Sequence, residues 1–60
     1  MEIYLINTET NEIKETYTNV TNWSENFVEY TNNNLRSKIY SDPSVEYFTD
    51  IKPEEIYEEV

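Results

Sequence analysis

Val20-Thr21-Asn22-Trp23-Ser24-Glu25-Asn26-Phe27-Val28-Glu29-Tyr30-Thr31-Asn32-Asn33-Asn34 is the stretch whose conformation decides the fold. Trp23, Phe27 and Tyr30 fall at i, i+4 and i+7, the spacing of one apolar stripe on a helix. Thr21 or Asn22 can cap its start, and Glu25 follows Asn22 at capping-box distance. Val20, just before the cap, can close that end as a hydrophobic staple. Asn32, Asn33 and Asn34 are poor helix formers that readily turn left-handed, so they mark the stop. The spacing therefore predicts a helix that opens near Thr21 and ends by Asn32.

The flanks read as strands. In Glu2–Asn7, Ile3 and Leu5 oppose Tyr4 and Ile6, the period-two pattern of a strand. Thr8-Glu9-Thr10-Asn11 is a turn. With no Gly in the chain, Asn11 is the residue best able to take the left-handed conformation there. Glu12–Thr18 is the return strand of a hairpin. Beyond the expected helix, Leu35–Tyr40 reads as a third strand, Ser41-Asp42-Pro43-Ser44 as a turn built on Pro43, and Val45–Ile51 as a fourth strand. Pro53 suits the first position of a closing helical turn, with Glu54 and Glu55 at its positive end.

The predicted order is β-β-α-β-β. That makes an α+β domain of two layers, one antiparallel sheet with a helix packed on a face and a short C-terminal helical turn. Leu5, Ile13, Tyr17, Trp23, Phe27, Tyr30, Ile39 and Tyr47 are the expected core. Sixty residues make a single domain, 1–60. A domain of this size buries only about 60% of its unfolded surface. With no Cys it has no disulfide to add stability.

The same inventory rejects an enzyme. The chain has neither His nor Cys, so the commonest general base, nucleophile and transition-metal ligands are missing. Glu25 with Glu29 and Glu54 with Glu58 are carboxylate pairs at i, i+4, which are solvated side chains on an acidic helix. No Ca²⁺ loop and no phosphate-cradling loop is present, so no cofactor and no metal is expected. No stretch reaches the length of a membrane span, and Met1-Glu2-Ile3-Tyr4 has no signal-peptide pattern. The cytoplasm is the expected compartment.

Charge narrows the partners. Thirteen acids and four bases give −9, a field that repels phosphate backbones. Direct nucleic-acid binding is accordingly not expected. If one sheet face carries the helix, the other presents Tyr4, Ile6, Arg36, Lys38, Tyr40 and Phe48. Tyr and Arg are enriched at interfaces, so these residues are the candidate contact face for a protein partner or a second copy. Glu46, Asp50, Glu54, Glu55, Glu58 and Glu59 form a second candidate surface, an acidic row suited to imitating DNA phosphates.

Eight Asn, six Ile, six Tyr and eleven Glu, with no Ala or Gly, are the residue usage of an AT-rich genome. In this bias, in size, and in segments such as Glu2-Ile3-Tyr4-Leu5-Ile6 and Lys52-Pro53-Glu54-Glu55-Ile56, the chain resembles small acidic proteins encoded by phages and conjugative transposons of clostridia and related low-GC Gram-positive bacteria. The resemblance implies a mobile-element accessory protein, a class that includes blockers of restriction and CRISPR enzymes. It transfers no site residue. The function expected is a non-catalytic, protein-binding accessory module. The alternative is an acidic DNA mimic that inhibits a nucleic-acid-binding enzyme.

Overall fold

Val, Thr, Tyr, Phe and Trp supply most of the non-Asn positions between residues 20 and 32. Branched and aromatic side chains fit a pleated surface better than a helix. In the computed structural model, which describes residues 1–53, this segment is a hairpin and not a helix. The six strands are β1 (Ile3–Asn7), β2 (Ile13–Tyr17), β3 (Val20–Ser24), β4 (Phe27–Asn32), β5 (Leu35–Tyr40) and β6 (Glu46–Thr49). They form two three-stranded antiparallel sheets, ordered β2-β1-β6 and β3-β4-β5. The α+β expectation is thereby corrected to an all-β fold: among the described residues no helix packs on either sheet. The closing helical turn expected after Pro53 lies outside the described residues.

The error has a specific physical source. A two-residue loop, Glu25-Asn26, joins β3 to β4 and pairs Ser24 with Phe27. Trp23 and Tyr30 thus both reach the core, from different strands, while keeping helix-like spacing in sequence. The Asn run is left-handed as expected, but it turns a hairpin. Asn33 and Asn34 have φ of 53° and 66°, and they link Asn32 to its partner Leu35. Two successive positive-φ residues are the signature of a type I′ turn, whose twist matches that of the flanking strands. Asn11 (φ 63°) closes the β1–β2 loop, and Asn19 (φ 57°) turns the chain from the first sheet into the second. All four left-handed positions among the described residues are Asn.

The sheets pack face to face on Ile3, Leu5 and Phe48 from the first and Val28 from the second. Tyr17, Val20, Trp23, Tyr30 and Ile39 pack around these four. Of the expected core, Leu5, Tyr17, Trp23, Tyr30 and Ile39 are here. Phe27 faces the opposite side of its sheet, and Ile13 is exposed. In β6 the expected faces are exchanged: Phe48 pairs with Leu5 and is buried, while Tyr47 pairs with Ile6 on the outer side. A one-residue difference in which face points inward is enough to do this.

Backbone bonds tie the two sheets at one corner. The Phe48 N–H donates to the Glu25 carbonyl in the β3–β4 loop at 3.0 Å. The turn before β6 spans Asp42–Val45, with Pro43 at its second position, where its fixed φ suits a type I turn. The Val45 N–H donates to the Asp42 carbonyl at 3.0 Å, and the Asp42 carboxylate accepts from the Ser44 hydroxyl at 2.8 Å. Among the described residues, no helix is long and apolar enough to cross a membrane.

Candidate functional site

The outer face of the second sheet is built by three cross-strand pairs between β4 and β5: Phe27 with Tyr40, Glu29 with Lys38, and Thr31 with Arg36. Alternation sends their neighbours Val28, Tyr30 and Ile39 into the core. The rings of Phe27 and Tyr40 lie 6.3 Å apart. The Lys38 ammonium sits over both, 4.6 Å from the Phe27 centroid and 5.3 Å from that of Tyr40. Such stacking is favourable because the ring faces are electronegative. Tyr40 is 66% exposed although it is large and apolar.

This face gathers an unusual share of the protein's positive charge. Of its four bases, Lys14 forms an ion pair with Glu46, and Lys52 sits over the Tyr4 ring at 5.9 Å. Arg36 and Lys38 are exposed and make no ion pair among the described residues. Lys38 lies on the aromatic rings rather than on Glu29, its cross-strand neighbour.

The sequence-derived contact candidates divide accordingly. Arg36, Lys38 and Tyr40 are brought together on this outer face. Tyr4, Ile6 and Phe48 are elsewhere and buried, with 6%, 0% and 1% exposure. Tyr4 and Ile6 lie on the outer side of the first sheet, beside Thr49 and Tyr47. Phe48 lies between the sheets. Phe27 also belongs to the site, although its helical spacing in the sequence predicts it in the core. The alternation Phe27-Glu29-Thr31 against Val28-Tyr30 is the signal that could have found it.

Of the acidic candidates, Glu46 and Asp50 lie among the described residues. Glu46 is half-buried, and its carboxylate holds both Lys14 and the Asp42 N–H, the latter at 3.0 Å. The Lys14 contact, followed by the Asp42 N–H, holds the Glu46 carboxyl below its usual range. Asp50 is exposed. Glu54, Glu55, Glu58 and Glu59 lie outside the described residues.

One cleft, of about 270 Å³, opens between the ends of β2 and β4. Tyr17 and Tyr30 line it, with ring centroids 5.2 Å apart. Burial first, then the nearby Glu15 charge, pushes the Tyr17 hydroxyl above its usual value. That shift favours the neutral phenol and activates nothing. No cluster of three or more carboxylates among the described residues is placed to hold a metal ion.

Backbone geometry adds a second property to the aromatic-cationic face. The Ser41 N–H donates to the Asn26 carbonyl at 2.9 Å, continuing the β4–β5 ladder. The odd residues of β5 therefore direct their backbone groups toward β4. Those of Arg36, Lys38 and Tyr40 point away from the sheet along its open edge. Comparison with protein-family models, with curated proteins and with solved structures finds no match.

Proposed function

We propose that this chain is a non-catalytic protein-binding module that acts through the outer face and open edge of its second sheet. The observation that carries the reading is the exposed Tyr40–Phe27 pair roofed by Lys38, set beside edge backbone groups of β5 that no strand among the described residues covers. Aromatic and Arg side chains are the usual anchors of protein interfaces, and an uncovered strand edge is a template for a partner's backbone. The resemblance to mobile-element accessory proteins fits such a role, since some of that kind block host restriction or CRISPR enzymes.

The test is affinity capture from a low-GC Gram-positive lysate with the wild type and with Phe27→Ser/Tyr40→Ser, both shown to be folded by circular dichroism. Proteins captured by the wild type and lost by the variant support the reading. The same proteins captured equally by both would remove this face as the site.

A further inference from the structure

Among the four edge strands, β2, β3, β5 and β6, only β5 is both regular and left uncovered by the described residues. β2 is bulged at Lys14, where Leu5 pairs with Glu15 and Ile6 with Ile13. β3 is bulged at Thr21, between the pairs of Val20 and Asn22. Bulges of this kind blunt an edge against further pairing. The outward N–H groups of β6 are taken: that of Phe48 by Glu25 and that of Glu46 by Asp42. β5 keeps an unbroken ladder of six pairs with β4 and begins at a tight turn.

A second copy is the first occupant to consider, and its chemistry is wrong. Two-fold pairing of edge strands is antiparallel, so the outward residues Arg36, Lys38 and Tyr40 would face their own copies. One register sets Arg36 opposite Lys38 of the other copy, and the next sets Lys38 opposite Lys38. Like charges directly opposite are destabilising. A register that sets Arg36 opposite Arg36 fails like the first two. Both registers centred nearer Tyr40 reach Asp42, whose N–H is already donated to Glu46. The edge thus rejects itself in three registers through charge and in two through occupancy.

The same groups define what the edge accepts. An incoming strand has its hydrogen-bonded residues opposite Arg36, Lys38 and Tyr40, on the aromatic-cationic face. Acids opposite the two cations make favourable cross-strand pairs. The one acid among the pairs on this face, Glu29, belongs to β4 and is one strand farther away. The protein's remaining negative charge slows the encounter, but beyond about 8 Å it is largely screened at physiological ionic strength. On the opposite side, the alternate residues of the incoming strand lie beside Ile39 and the exposed Leu35, which favours apolar side chains.

We propose that β5 binds an extended acidic segment of a partner protein, with Asp or Glu at alternate positions and apolar residues between them, by strand addition. This rests on the protein-binding reading above and names the partner's chemistry.

The probe is a blocked eight-residue peptide of alternating Glu and Val, titrated into the ¹⁵N-labelled full chain. The expected result is slowed exchange at the amides of Arg36, Lys38 and Tyr40, with those of Ser37 and Ile39 unchanged. An alternating Lys-Val peptide should fail to bind. Arg36→Glu/Lys38→Glu should reverse the preference, weakening the Glu-Val peptide about tenfold or more. Equal binding of both peptides, or no protection at these three amides, overturns the proposal. So does a concentration-dependent dimer that protects the same amides without peptide, or displacement of the peptide by oligo(dT). If the peptide fails while captured proteins still depend on Phe27 and Tyr40, the acidic strand falls and the protein-binding reading stands.

Discussion

β1 and β4 are both the central strands of three-stranded antiparallel sheets, yet they sit in different surroundings. In β1 four successive residues, Ile3 to Ile6, are buried, so both faces are covered. In β4 only Val28 is buried. Phe27, Glu29 and Thr31 alternate with the core residues and look outward. A strand covered on both faces reads as a continuous apolar run, whereas one covered on a single face alternates. The first sheet therefore carries the stability of this small domain. The second shares the core through one face and leaves the other, with its cation over two rings, open for contact.

The largest effect should come from removing a core residue of the first sheet. Phe48→Ala takes away a fully buried ring and its edge-on contact with Tyr17 at 6.0 Å, at a cost of about 3–5 kcal/mol. Phe27→Ala on the open face should cost only about 1 kcal/mol, the scale of an aromatic pair. Urea unfolding of both variants measures the difference. Equal losses would erase the distinction between the covered and the open sheet.

A smaller effect tests the turn that holds the open sheet together. Asn33→Ala and Asn34→Ala should each destabilise by about 1 kcal/mol, since Ala must adopt a left-handed conformation there. Gly at either position should match or exceed the wild type in thermal melting. Stable Ala variants would mean that the β4–β5 turn is not of the mirror-image type.

The smallest effect concerns the Lys14–Glu46 ion pair, which crosses the first sheet. The folded Glu46 carboxyl is held below its ordinary value of 4.5. Its contribution is therefore complete above that pH and is lost as pH falls through the lower folded value. The melting-temperature gap between wild type and Glu46→Gln should be full at pH 7 and close on acidification. A gap that widens toward low pH would reverse the sign and exclude the pair as its source.

How much of this could be read from residues varied by segment. The β1–β2 hairpin, the left-handed Asn11 and the bounds of β5 follow from local patterns, since each depends on near neighbours in sequence. The β3–β4 hairpin was hidden because Trp23, Phe27 and Tyr30 satisfy a helical period by coincidence. Their segment is nevertheless rich in branched and aromatic residues and poor in helix formers, and that preference prevailed. On the candidate site, Arg36, Lys38 and Tyr40 were legible from alternation along β5. Phe27 was not, because its membership depends on the strand beside it.

The sequence by itself determined an acidic composition with no His or Cys chemistry, and the Asn positions at which a chain without Gly can turn left-handed. These are properties of composition and of short windows. Only the tertiary structure decided that two sheets and not one share the core, and that Phe48 faces inward while Tyr47 faces out. It also decided that β5 is the regular edge that the described residues leave uncovered. Each of these depends on which strands meet across the core. A strand exposes two chemically different faces, and local sequence alone does not say which one its partner will cover.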